Sequence, residues 1–131
     1  MHALSRQITC FVVVGCAAAA THWLVAVACV QALGMAPLAA NAAGWLVAFG
    51  VSFGGHYLLT FRHEAAPLAA AAWRFFLISA AGFAINEATY AWLLAHTGLR
   101  YDVLLAGVLI LVAGLTFLFS RYWAFRRTRA V

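Results

Sequence analysis

Glu87 is the one acid inside a long apolar stretch of this 131-residue chain. A charged carboxylate in the middle of a membrane helix costs roughly 2.5–3.5 kcal/mol on insertion scales, so it should face protein or water, or carry a proton. It follows Arg74 by thirteen residues, which at the helical rise sets it roughly 20 Å above the helix start. His22 is expected at nearly the same height on the first helix, because an internal repeat lays it over Thr89. That depth permits a Glu87–His22 hydrogen bond or ion pair, with Asn86 alongside. Such a group serves either as a polar clamp between helices or as a site for a polar headgroup or a proton. Intramembrane ionisable side chains are functional candidates by default.

A second group lies where apolar runs open onto arginine. Phe53, Tyr57 and Phe61 form an i, i+4, i+8 stripe, and Phe117, Arg121 and Phe125 form its counterpart. Arg121 falls about one turn inside the helix end, deep enough to snorkel or to bind an anion. With Arg62, Arg126 and His56 it has the chemistry to hold a lipid phosphate, since guanidinium forks match phosphate oxygens. The aromatic residues here, Tyr122 and Trp123 included, read most simply as an interfacial belt anchoring helices.

The elements that must position these groups follow from composition. Hydrophobic residues make up 67% of the chain and charged residues 8%, whereas a soluble domain is about half apolar and a quarter charged. Four runs, roughly 8–31, 38–61, 75–96 and 103–125, each approach the 20 or so apolar residues that a bilayer crossing needs. They are continuous rather than alternating and far longer than strands. Lipid also forces each segment to satisfy its own backbone, as a helix does. The expected fold class is an all-α membrane protein with four transmembrane helices.

Those helices read as one hairpin made twice. Residues 53–62 lie over 117–126 at a constant offset of 64, and Gly34 and Gly98 keep that offset. Gly15 lies over Gly82, and Gln7 over Arg74, at an offset of 67. The repeats would cover about 6–62 and about 73–127 within a single domain, 1–131. Duplicated hairpins are a common way to build a transporter, with the work done where the halves meet. Small residues offer close helix contacts: Gly50-x-x-x-Gly54, the series Ala40, Gly44 and Ala48, and Ala84 with Ala88.

Arginine sets the orientation. Arg6, Arg62, Arg74, Arg121, Arg126, Arg127 and Arg129 lie at the ends or in the middle connection, against Arg100 alone on the other side. The positive-inside rule then puts both termini and the 62–74 connection in the cytoplasm. The net charge of +5 argues for anionic headgroups rather than nucleic acid, because the arginines hug helix ends and no basic soluble domain is present. The sequence around Val14-Gly15-Cys16 resembles a lipoprotein cleavage site, but its apolar run continues well past Cys16, so an uncleaved helix is expected. Cys10, Cys16 and Cys29, three in number and irregularly spaced, form no metal set or disulfide framework.

Together these residues resemble the GtrA-like family of small bacterial membrane proteins. The likeness rests on the Arg74-Phe75-Phe76 entry before Gly82, on Gly82-Phe83-Ala84-Ile85-Asn86-Glu87, and on the basic-aromatic exit at 117–125. It implies a multi-pass protein of the bacterial inner membrane that works in surface polysaccharide biosynthesis. Its expected task is to move a sugar linked to polyprenyl phosphate from the inner to the outer leaflet. Tyr57 and Leu59 stand where relatives often carry a basic residue and tryptophan, so the second half is expected to carry more of the phosphate site. In this reading Arg121, with Arg62, Arg126 and His56, engages the phosphate, and Asn86, Glu87 and His22 offer partners to sugar hydroxyls.

Four short helices cannot enclose a wide pore, so a side-open groove or a homodimer is needed. Two other readings use the same residues. A proton-coupled small multidrug exporter would also depend on one membrane glutamate. A non-transporting anchor would recruit a glycosyltransferase through the cytoplasmic arginines. An enzyme is not expected, nor any cofactor or metal: there is no Cys/His or Ser/His/Asp set, no metal-ligand spacing and no glycine-rich phosphate loop.

Overall fold

The computed structural model of the chain describes residues 2–60 and 67–119. Among these it is helical, with no strand: α1 is His2–Leu33, α2 is Pro37–Gly55, α3 is Leu68–His96 and α4 is Tyr101–Phe119. A turn of π-helix, His56–Thr60, continues α2. Three stretches are long and apolar enough to cross a membrane: Ser5–Leu33, Pro37–Thr60 and Leu68–His96. The fourth, α4, is apolar but shorter over its described part, Tyr101–Leu115. The end of the expected fourth span lies outside the described residues. Aliphatic side chains face outward on every helix, Ile78 and Ile110 being 73% and 74% exposed. Lipid is the medium in which such an exterior is stable.

The first connection is fixed by backbone chemistry. Gly34 takes a left-handed φ of 65°, a region that side chains avoid. Its N–H donates to the Val30 carbonyl at 3.1 Å and that of Met35 to Cys29 at 3.2 Å, which caps α1. Pro37 then opens α2 at the position where its missing N–H costs nothing. The second connection works differently. Thr97 is extended and closes α3 by donating its N–H to Leu93, while Gly98 has no left-handed φ. An exposed Arg100 pairs with Asp102 at 2.9 Å, and the Asp102 carboxylate also accepts the Val103 N–H. Gly34 and Gly98 therefore share a sequence offset without sharing a backbone role.

Packing is densest between α1 and α2. α2 also touches α3, α3 touches α4, and α4 returns to α1, so the helices close in a ring. The α1–α2 seam is made by small residues. A Cβ on Gly44 would fall 2.6 Å from the His22 carbonyl oxygen, and one on Gly55 would fall 2.6 Å from a Val14 methyl. Ala40 and Ala48 are buried on the same line. Gly50 and Gly54, by contrast, have nothing within 4 Å of a built Cβ, and Ala84 and Ala88 are exposed. The glycine pair spaced by three residues is thus not a helix contact among the described residues. Spacing alone does not say which way a small residue faces.

The core sits toward the two short connections. Tyr90, Leu104, Leu105 and Val108 pack there with Ala26 and Ala40. Two aromatic donors tie it to the start of α4: Trp23 Nε1–H to the Asp102 carbonyl at 2.9 Å and Tyr90 O–H to the Tyr101 carbonyl at 3.1 Å. A carbonyl has two lone pairs, so these oxygens can take a side-chain donor besides their helical N–H, which pins the start of α4 to α1 and α3.

Candidate polar site among three helices

His22 on α1, Asn41 on α2, and Asn86 with Glu87 on α3 meet in one hydrogen-bonded group. His22 Nε2 lies 2.6 Å from Asn41 Oδ1. Asn41 Nδ2 donates to Asn86 Oδ1 at 2.8 Å and to Glu87 Oε2 at 2.5 Å. Asn41 is completely buried, His22 and Asn86 nearly so, and Glu87 is half-buried. Gly44, one turn along α2, makes this possible: any side chain there would push against both the backbone and the ring of His22.

The chemistry of the four groups fixes their orientation. An ionised carboxylate can only accept, so it must meet the amide N–H₂ of Asn41. That turns the Asn41 oxygen toward His22, and Nε2 must then carry the proton. Both amide hydrogens and the amide oxygen of Asn41 are used, which is what complete burial demands of such a group. Glu87 and His22 are joined through Asn41; among the described residues they form no direct bond or ion pair. The expectation of a direct contact gives way to a bridge, because an amide inserted from α2 offers a donor to one side and an acceptor to the other.

The sequence reading named His22, Asn86 and Glu87 and missed the residue that connects them. Asn41 is a neutral amide in an apolar helix, the same kind of exception as Asn86. Its position three residues before Gly44, within the Ala40–Gly44–Ala48 series, was the available signal.

His56 lies fifteen residues further along α2, about 22 Å away at the helical rise. It is buried in the π-helical turn, 3.1 Å from Thr60 Oγ1 through Nδ1. Its ring stacks on Phe11 of α1 at 4.8 Å and lies 5.8 Å from Phe75 of α3. Turns of this kind are often found at functional sites. Its expected companions Arg62, Arg121 and Arg126 lie outside the described residues, as does Phe61.

Between the two polar ends runs an aromatic seam. Trp45 stacks on Phe83 at 4.6 Å and donates to Ser79 Oγ at 2.9 Å. Phe49 meets Phe76 edge-on at 5.6 Å, and Phe53 lies 5.8 Å from Phe75 and 5.7 Å from Tyr57. Of the rings expected in an interfacial belt, Phe53 reaches α3 through Phe75. Among the described residues no group of histidine, cysteine and acidic side chains could hold a metal ion.

The helical bundle thus has aliphatic side chains outside and a buried amide–acid–imidazole group inside, bonded within the chain, with Glu87 as its half-buried member. No curated protein and no solved structure matches the chain. The model of the GtrA/DPMS transmembrane domain matches residues 10–125, and the chain therefore belongs to the GtrA/DPMS family.

Proposed function

We propose that this protein carries a polyprenyl-phosphate-linked sugar from the inner to the outer leaflet of the bacterial cytoplasmic membrane, in the service of surface polysaccharide synthesis. Family membership supports a membrane role in processes that use sugars on carrier lipids. The observation that carries the finer reading is the Asn41-centred group, a polar cluster built from three helices of an apolar bundle. Each sugar hydroxyl left unpaired in hydrocarbon costs a few kcal/mol, and this cluster supplies alternative partners along the way. The prenyl tail stays in lipid throughout.

In this reading both termini and the 62–74 connection face the cytoplasm. Arg121, with Arg62 or Arg126 and with His56 nearby, engages the phosphate on that side. His22, Asn41, Asn86 and Glu87 receive the sugar further out. No bond is made or broken, so the protein acts as a carrier rather than an enzyme. Outward movement of an anion from a negative interior is favoured by about 2.3 kcal/mol per charge per 100 mV. The test is transfer of a lipid-linked sugar across vesicles containing the purified protein. Arg121→Ala and Glu87→Gln should each slow it; normal rates in both variants would refute these roles.

A further inference from the structure

We infer that the α2–α3 seam is a stacking track for the sugar ring, formed by Trp45, Phe49, Phe53 and Tyr57 and linking the two polar ends of the bundle. The inference rests on the translocation reading above and adds the route. The four side chains recur at every fourth position, about 6 Å apart along the axis, and Asn41 begins the same line. All four are half-buried; Trp45, Phe49 and Phe53 pack against rings of α3, and Tyr57 packs on Phe53.

Ring chemistry is concentrated on this seam. Apart from Phe11, every phenylalanine whose side chain is described lies here: Phe49, Phe53, Phe75, Phe76 and Phe83. The surfaces turned to lipid are instead mainly aliphatic, with Leu46, Ile78 and Ile85 well exposed on the same two helices. A seam that had only to hold helices together could use those same aliphatic residues. An aromatic face carries partial negative charge and attracts the C–H face of a sugar ring, while hydroxyls at the rim stay free to exchange partners. At the outer end the half-buried Glu87, one turn from Phe83, is the accessible partner; at the inner end the buried His56 and Thr60 bond each other and close the track. Gly50 and Gly54, on α2 beside the track, make no close contact.

The experiment uses the full chain in vesicles, with polyprenyl phosphates bearing glucose, mannose or N-acetylglucosamine as probes. The Phe49→Leu/Phe53→Leu double variant should transfer the best of these about tenfold more slowly, while Phe49→Trp keeps at least half the rate. Binding of polyprenyl phosphate without a sugar should be unchanged in both. Wild-type transfer by the leucine variant, or equal loss of bare-lipid binding, overturns the track. A photoreactive phenylalanine analogue at position 49 gives a second reading that does not depend on the folding of the leucine variant. Label on the sugar supports the track, and label confined to the prenyl tail overturns it. If the wild-type protein moves none of the three lipids, the translocation reading fails first and the track with it.

Discussion

α2 has two contrasting faces. Toward α1 it presents Ala40, Gly44, Ala48 and Gly55, so close that two of its glycines could not gain a methyl group without a clash. Toward α3 it presents Trp45, Phe49 and Phe53, which hold the helices together through rings. In lipid, helices associate by van der Waals packing and interhelical hydrogen bonds rather than by hydrophobic expulsion. The small-residue face gains by proximity and leaves no space to be filled. The aromatic face gains by area, and its side chains can rearrange. The first hairpin is therefore a fixed frame, and the α2–α3 seam is the adjustable one. Asn41 lies where the two faces meet, which lets it reach both His22 and Glu87.

The sharpest way to break that contrast is Gly44→Leu. The added side chain would strike the His22 backbone and ring, and overpacking of this kind costs about 1–3 kcal/mol or more. A drop of that size in thermal or denaturant stability in detergent is expected, with loss of the monodisperse species at the upper end. Asn41→Leu comes next. It strands polar atoms of His22, Asn86 and Glu87 together, for about 1–3 kcal/mol. A double-mutant cycle with Glu87→Gln should return a coupling near 0.6 kcal/mol, typical of interhelical hydrogen bonds in membranes. A coupling of zero would mean that the bridge contributes nothing.

On the aromatic face, Phe76→Leu should cost only about 0.5–1.5 kcal/mol, because neighbouring rings can shift into the space. Gly50→Ala is the smallest expected effect. With nothing near its Cβ and with alanine the better helix former by up to about 1 kcal/mol, it should leave stability unchanged or slightly raised. If Gly50→Ala instead destabilised as much as Gly44→Leu, the division between a close face and an open one would be wrong.

Much of the architecture was legible in the sequence because lipid imposes a simple rule. Continuous apolar runs of twenty or more residues become helices, and residues such as Gly34 and Pro37 mark their ends. The polar site was legible only in part. Glu87 and His22 stand out because charge inside a run is costly, and their shared depth follows from counting residues. Asn41 carries no charge and so raised no alarm, although burial makes the same demand on its amide. Facing was the least legible property. Gly44 and Gly50 look alike in the chain, but six residues set them roughly 240° apart around α2, and only the packed fold shows which side meets α1. The same applies to Gly34 and Gly98, which match in offset and differ in backbone.

The π-helical turn at His56–Thr60 has one last consequence. It winds more residues into a turn than an ordinary helix does, and across it His56 and Thr60 both face inward while Leu58 and Leu59 between them face out. A surplus residue is absorbed locally in such a turn, so deleting one there should return the segment to regular winding. The second helix thus keeps a reserve of length at the very place where its buried imidazole sits.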